Sequence, residues 1–543
     1  MIGGESRLGS VIRNRKAALG ALLALAYAAW AYPFIMESSV VAFDGRRYFN
    51  LFDDAMISMR YAWNFSHGQG LVWNPGERVE GYTNLLQTLI MSVFTALLDK
   101  STAVLAVQVL GVLLVLGCVY LVWRLCTSLA IEVEPEGRTV FTAAIVLMTL
   151  TYYPLSYWSL SGMETGTLTS LIIAAVWMIE RFRQKGRSLD LYLAAGLLGL
   201  ADLSRPDALI FAVPLLAYAA DTALRRAKDG PGNEARRGVV RTLLIAVGIY
   251  LLLPLGQEAF RIQYYHALLP NTYYLKATGM PLADRIRNGL GFLSLYFWTH
   301  AIFLGMGLLG FVLKPDRRKA CYLALVIAPI LYEIWAGGAP LRLWRLMTPV
   351  EPLGAALFVM GGMELLRRLR TDFSTRTGIA WMGVLTGIAI MSVNLFFLPQ
   401  IFFLQTWFPT GFYSLRVNSA VALNELTTQN ASVGVLAAGV VPYYTGREAF
   451  DYLGRSDPHI ASLPPDLSGA VSWNGMYSVP GHNKYDLVYS IEQLQPTFTD
   501  TDRWGRENLS AWVSAHYVSV QYHGVGLLLK RGAPEVKWNL INP

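Results

Sequence analysis

Charge is what this chain has least of. Asp, Glu, Lys and Arg make up only 15% of its 543 residues, against 54% that are hydrophobic. A soluble domain carries about 25% charged residues, and the mean hydropathy of +0.38 lies well on the apolar side. The deficit excludes a disordered chain and an ordinary soluble enzyme, because a soluble core could not hide that much apolar surface. Cysteine is equally scarce. Cys118, Cys126 and Cys321 fall within or at the ends of apolar runs, with no metal-ligand spacing and no disulfide framework. The seven histidines form no HExxH and no Cys/His pair. Walker A is missing too, and a soluble nucleotide donor held by a glycine-rich fingerprint has no support.

What the chain does have is long apolar runs. A hydrocarbon core of about 30 Å needs about 20 apolar residues per helix. Eleven segments answer that description: 17–36, 102–123, 139–156, 165–180, 189–203, 206–222, 239–256, 288–312, 320–336, 346–363 and 377–398. The run from Leu85 to Leu98 is too short and reads as interfacial or re-entrant. Charge sidedness agrees. Five segments are basic: the N-terminus (Arg7, Arg13, Arg15, Lys16), 181–187, 225–241, 314–319 and 366–376. All five share one side only if 85–98 does not span, and the positive-inside rule makes that side cytoplasmic. The expected architecture is therefore a polytopic α-helical membrane protein with its N-terminus inside. The first span is not a cleaved signal, since no small-residue cleavage site follows Pro33. The net charge of +8 belongs to the cytoplasmic loops and does not argue for nucleic acid.

The opposite, extracytoplasmic face then receives 37–101, several short loops and everything after about residue 399. From Gln400 the apolar runs shorten and Gly, Pro, Asn and Asp become frequent. Segments 433–441, 485–491 and 516–531 read as strands, which predicts an α/β domain over 400–543 beside a membrane module over 1–399.

Polar residues with chemical potential gather on that same face. The loop after the first span carries adjacent Asp53 and Asp54, then Arg60, Glu80, Tyr82 and Asn84. Adjacent carboxylates at a membrane surface repel each other and are costly to desolvate. Helical spacing lets Asp53 pair with Arg60, and the plain alternative makes Asp54 the cap of a helix over 54–65. Other loops add Glu164 in SGMET, Arg205 and Asp207 in SRPD, Asn271, Tyr274 and Lys276 in LPNTYYLK, and Arg342 and Arg345 in GGAPLRLWRL. Each has a local explanation as a macrodipole partner or a snorkelling side chain. Their gathering on one face instead suggests a shared polar site, with acids and bases suited to a phosphate plus a hydroxyl. Asp53 and Asp54 could offer oxygen ligands to a divalent cation such as Mg²⁺, though two carboxylates are a thin donor set.

These residues sit in runs that resemble a family. DDAMISMRY (53–61), GQGLVWNPGERVEGYTN (68–84), SGMET, SRPD, LPNTYYLK (269–276), GGAPLRLWRLMTP (337–349), VVPYYTGREAFDYLGRSDPHIA (440–461) and GHNKYD (481–486) are similar to a branch of the GT-C membrane glycosyltransferases. That branch includes the mycobacterial terminal arabinofuranosyltransferase. The resemblance implies a GT-C fold and transfer of a sugar, arabinofuranose in that branch, from a polyprenyl-phosphate donor to a glycan or protein acceptor. It implies a catalytic base at Asp53 or Asp54. It also implies a first outer loop lying along the membrane, as the length of 85–98 independently requires. Ala339-Pro340 departs from the Asp-Phe of the branch. In the C-terminal region Tyr443, Tyr444, His482, Lys484 and Asp486 are candidates for holding the acceptor. A flippase for lipid-linked sugar is the main rival, but transporters place their sites near the midplane and often carry inverted repeats. A phosphoethanolamine-type transferase would need a nucleophile and a metal cluster that the sequence does not offer.

Overall fold

The computed structural model of the protein describes residues 4–228, 233–371, 375–402 and 410–541. Parts of the basic segments 225–241 and 366–376, and the stretch 403–409, lie outside the described residues. The helices begin with α1 (Gly4–Glu37), followed by a two-stranded ribbon of β1 (Val40–Val41) and β2 (Arg47–Tyr48). Next come α2 (Asp53–Ser66), α3 (Leu85–Leu97) and α4 (Lys100–Leu129). α3 is 13 residues long, about 20 Å at 1.5 Å per residue, and so stops short of a bilayer's thickness. Asp99 accepts the backbone N–H groups of Ser101 and Thr102 at 3.0 and 3.2 Å, which fixes where α3 gives way to α4.

The remaining bundle is α5 (Arg138–Thr151), α6 (Tyr153–Leu160), α7 (Thr165–Lys185), α8 (Ser188–Ser204), α9 (Leu209–Lys228) and α10 (Asn233–Tyr265). It continues through the short α11 (Asn271–Ala277), α12 (Leu282–Leu313), α13 (Arg317–Ala336), α14 (Glu351–Arg368) and α15 (Arg376–Val393). By length and composition, eight described helices can cross a membrane, or nine if one bent pair counts as a span. That pair corrects the expected span 139–156. The chain breaks at Tyr152 and bends by 48° into α6, which Pro154 opens in its first turn. The expected spans 165–180 and 189–203 form α7 and α8. The 17 residues of α8 reach about 26 Å, under a full bilayer core.

Lipid offers no hydrophobic drive between helices, so close approach depends on small residues. A Cβ at Gly310 of α12 would strike Gly361 of α14, and one at Gly361 would strike the Met306 carbonyl. Gly305, Gly307 and Gly310 do have GxGxxG spacing, but they lie inside α12 rather than at a strand-to-helix turn.

The C-terminal region starts, after the short α16 (Leu398–Phe402), with α17 (Thr410–Leu426). It continues with β3 (Ser432–Val435), α18 (Val440–Thr445), β4 (Glu448–Asp451), α19 (Pro458–Ser462) and β5 (Phe498–Thr499). A hairpin of β6 (Arg503–Trp504) and β7 (Glu507–Asn508), then α20 (Ser510–His516), lead to β8 (Tyr517–Tyr522) and β9 (Val525–Lys530). The main sheet has the order β4-β3-β5-β9-β8, parallel around β3 and antiparallel from β5 onward. The predicted strands at 516–531 are a hairpin closed by His523 and Gly524, both at positive φ, as a two-residue type I′ turn requires. Two strand expectations need correction. Only 433–435 of the segment 433–441 pairs in the sheet, and 485–491 enters a π-helix over Val488–Gln493.

α2 is buried on both sides. Ala55, Met56, Met59 and Ala62 face the membrane bundle, while Ile57 and Tyr61 join a core with Leu423, Val433, Val435, Leu527 and Leu529 of the C-terminal sheet. The start of this helix therefore sits where bundle and sheet meet.

Candidate active site at the start of α2

Phe52 precedes α2 without a side-chain cap, so neither Asp53 nor Asp54 caps the helix. Both are in its first turn, where the macrodipole favours carboxylates. The expected Asp53–Arg60 pair does not form. Arg60 is buried and donates to the carbonyls of Trp73, Pro442 and Arg447 at 2.6, 2.6 and 2.7 Å, and to Asn74 Oδ1 at 2.8 Å.

Asp54 instead begins an alternating chain of charges built from five separate segments. Its Oδ1 contacts Arg455, between β4 and α19, and its Oδ2 lies 3.7 Å from Arg345 Nη1. Arg345 turns its other edge to Glu164, at the head of α7, with Nε at 3.1 Å and Nη2 at 2.6 and 2.7 Å. Glu164 also accepts Arg205 Nη1 at 2.9 Å, and Arg205 forks onto Asp207 at 2.7 and 2.5 Å. Glu164 is sealed, whereas the Asp54 and Arg345 side chains are 20% and 19% exposed, so the ligand-accessible end is at Asp54. Burial alone would raise the Glu164 carboxyl, but Arg345 and Arg205 outweigh it and hold it at about 2.

Asp53 points the other way. Its Oδ1 accepts the Gly439 N–H at 3.2 Å, at the start of α18. Burial pushes its carboxyl above the ordinary range, against the pull of Arg416 and Arg455. The approach is close: a Cβ on Gly439 would lie 2.7 Å from both Asp53 Oδ1 and Met56 Cβ.

Lys276, on α11, makes no hydrogen bond or ion pair among the described residues, and its stem runs past Gly481, whose Cβ would lie 2.9 Å from Lys276 Cε. Burial, then Arg345 and Arg205, bring its ammonium down to about 8. His482 follows Gly481 with Nδ1 buried and unpartnered, its ring between Trp473 and Trp504 at 5.2 and 6.5 Å. Burial, Arg455 and Lys276 drive it down to about 3. Asn84 bridges Ser58 at 2.9 Å and Glu164 at 3.4 Å. Asn271 donates to the carbonyls of Gly454 and Arg455 at 2.9 and 2.8 Å and so fixes the loop that carries Arg455.

The structure thus brings together Asp53, Asp54, Asn84, Glu164, Arg205, Asp207, Asn271, Lys276, Arg345 and His482. Glu80 and Tyr82 lie apart: Glu80 pairs with Arg261 at 2.5 Å, and Tyr82 packs between Tyr61 and Tyr265. Tyr274 is exposed, and its carbonyl takes Lys484 Nζ at 2.8 Å. Arg342 donates to the Gly291 carbonyl at 3.0 Å. Tyr443 and Tyr444 are buried on the carbonyls of Lys100 and Phe49, while Asp486 lies 3.3 Å from His459. Arg455, Gly439 and Arg416 escape a sequence reading, although LGRSDP already stands in a recognisable run.

The loop that presents Arg345 is held under strain. Gly337 and Gly338 have φ of 92° and 90°, and buried Trp344 sits at 51°, a left-handed conformation uncommon for a large side chain. Phe292 and Tyr296 pack on its ring, and Trp158 Nε1 donates to the Leu343 carbonyl at 2.7 Å. Pro340, at the Ala-Pro departure, gives its carbonyl to Trp473 and Asn474 at 2.9 and 2.7 Å.

Residues 83–231 match the family described as dolichyl-phosphate-mannose-protein mannosyltransferase, and residues 411–531 match a domain of unknown function, DUF8728. The chain is 26% identical over 491 residues to the terminal beta-(1->2)-arabinofuranosyltransferase of Mycobacterium tuberculosis, covering 82% of this chain and 71% of the relative. The crystal structure of ArnT from Cupriavidus metallidurans bound to undecaprenyl phosphate superposes with a TM-score of 0.59 at 11% identity, over 96% of this chain and 98% of that one. The oligosaccharyltransferase AglB of Archaeoglobus fulgidus, in complex with an inhibitory peptide and a dolichol-phosphate, gives 0.54 at 12% identity, over 96% and 75%. The chain is a multi-pass membrane glycosyltransferase of GT-C fold.

Proposed function

We propose that the protein transfers arabinofuranose from a polyprenyl-phosphate donor to a hydroxyl of a cell-envelope glycan or surface protein. The observation that carries this reading is the likeness to the mycobacterial arabinofuranosyltransferase along most of the chain, joined to a carboxylate pair beside Arg345, Arg205 and Lys276. The acceptor oxygen attacks the anomeric carbon, the bond from that carbon to the phosphate oxygen breaks, and polyprenyl phosphate leaves as the anion. The acceptor proton passes to a carboxylate of the Asp53–Asp54 pair. Asp53 is the better acceptor, since it has no ion pair among the described residues and burial raises it. Arg345 and Lys276 meet the charge of the departing phosphate. One displacement inverts the anomeric centre.

The reaction belongs on the extracytoplasmic face of the bacterial inner membrane. Basic segments meet at the far ends of α7 and α13 from the site, which supports that orientation. Arg226 donates to the Phe182 and Arg183 carbonyls, Arg317 pairs with Asp221 at 2.9 Å, and Arg368 reaches the Leu313 carbonyl at 3.2 Å. The residues do not fit a divalent cation. Asp54 is engaged by two arginines, Asp53 by a backbone N–H, and no group of three or more His, Cys, Asp or Glu among the described residues could hold a metal.

The test is purified protein in detergent with radiolabelled polyprenyl-phosphate arabinofuranose and candidate envelope acceptors. Label on an acceptor, with inverted anomeric configuration by NMR, is expected. Movement of the donor across vesicles without transfer would replace this reading with a flippase.

A further inference from the structure

Glu333 is one turn from the end of α13 and is 2% exposed. Its backbone carbonyl accepts the N–H groups of Gly337 and Gly338 at 3.1 Å each, which turns the chain into the loop that delivers Arg345. Its carboxylate is a different matter: it makes no hydrogen bond and no ion pair among the described residues. The charged groups acting on it are Arg205, Asp207, Lys276 and Arg345. Both arginines already spend their donors on Glu164, Asp207 and Asp54. Lys276 is the group left over, yet it does not close onto Glu333 as a salt bridge.

A carboxylate and an ammonium without partners among the described residues thus lie within electrostatic reach of each other, beside the Arg345–Glu164–Arg205 chain. Each is costly to bury alone, and ionisable groups kept unpaired at a membrane boundary mark a ligand's path. For the ammonium the missing partner is an anion, which the donor's phosphate supplies. For a carboxylate facing cations that are already occupied, the missing partner is a set of hydroxyl donors. On a lipid-phosphate sugar those lie within a few bonds of the phosphate.

We propose that Glu333 is a specificity-determining residue that accepts hydrogen bonds from hydroxyl groups of the donor's sugar while Lys276 holds the adjacent phosphate. The inference rests on the transferase reading above and assigns one wall of that site to sugar recognition.

The test separates sugar from lipid phosphate in the full-length protein in detergent. Thermal unfolding is followed with polyprenyl phosphate alone and with polyprenyl-phosphate arabinofuranose at equal concentration. Wild type should gain a further upward shift from the sugar. Glu333→Ala should keep the shift from polyprenyl phosphate and lose the sugar's increment, whereas Lys276→Ala should lose the phosphate's shift. Donor KM in Glu333→Ala should rise about tenfold to a hundredfold, the range of a lost hydrogen bond to a charged group. Discrimination between the natural donor and one lacking a hydroxyl should collapse in the same variant. Glu333→Gln, which keeps shape and hydrogen-bonding capacity, should retain part of the increment and serves where the alanine variant fails to fold. Equal sugar increments in wild type and the variants, or none in either, would overturn the assignment. A sugar increment that depends on Glu333, with no transfer to any acceptor, would instead keep the assignment and sink the transferase reading.

Discussion

A carboxylate serves as a base only as well as its neighbours allow. Asp54 is ion-paired between Arg455 and Arg345, while Asp53 accepts from the Gly439 amide and is raised by burial. Asp53→Asn is therefore expected to lower transfer by at least about 100-fold while the protein remains monodisperse in detergent. Asp54→Asn should act differently, raising donor KM as two arginines lose their shared partner. Initial rates of radiolabel transfer distinguish the two. Lys276 sets a pH limit. Its ammonium is brought down to about 8, so the charge is present below that value and lost above it. Donor kcat/KM should fall as pH rises through about 8, and Lys276→Arg should remove that limb; a flat profile in wild type would take Lys276 off the phosphate. Glu164, held at about 2, contributes stability that is complete above its unfolded pKa and lost as pH falls from there down through about 2. Most of this set was legible as lone polar residues at the ends of apolar runs. Arg455 was not, since it is an ordinary loop arginine some four hundred positions from Asp54. Glu333 was missed because it lies within an apolar run, where only packing reveals that nothing among the described residues pairs with it.

At the scale of elements, the decisive contact is between the first turn of α2 and the start of α18. Gly439 is needed there because any Cβ would press on Asp53 and Met56. Gly439→Ala should reduce transfer about tenfold or more by shifting Asp53 off its amide, the sensitivity expected of a displaced catalytic group. The thermal midpoint should fall as well, because the added Cβ would meet the Asp53 backbone carbonyl and Met56 Cβ between two packed helices; an unchanged rate would show that the Asp53–Gly439 contact is dispensable. Length made α3 doubtful as a span, and charge sidedness decided the reading against one. Length could not foresee the break at Tyr152, because the apolar run continues through it and the bend is set by what packs on α6. The strands of the C-terminal region were misjudged where short apolar runs suit helix and strand alike. β8 and β9, rich in Val, Tyr and Leu and joined by a His-Gly turn, were not.

For the molecule as a whole, Arg60 clamps the first loop to the C-terminal region. Four acceptors from three separate segments converge on its guanidinium. Arg60→Gln should destabilise the protein by roughly 3–5 kcal/mol, the range for breaking a buried charged network, and should speed proteolytic release of the C-terminal sheet. Donor KM of the folded fraction should stay unchanged, and a selective rise in KM would restore Arg60 to the binding site. The sequence names this arginine but not the carbonyls it will serve, which is why it read as a substrate ligand.

The sequence by itself determined that the chain lives in lipid, that basic residues collect on one side and polar candidates on the other, and that a small α/β region follows the bundle. These follow from local quantities: run length, charge position and hydrophobic period. Tertiary structure decided which candidates meet. It set Arg455 on Asp54, Gly439 on Asp53 and Arg345 between Asp54 and Glu164, sent Arg60 and Glu80 elsewhere, and left Lys276 and Glu333 without partners among the described residues. Pairing of charges depends on distance and burial, and neither is written along the chain.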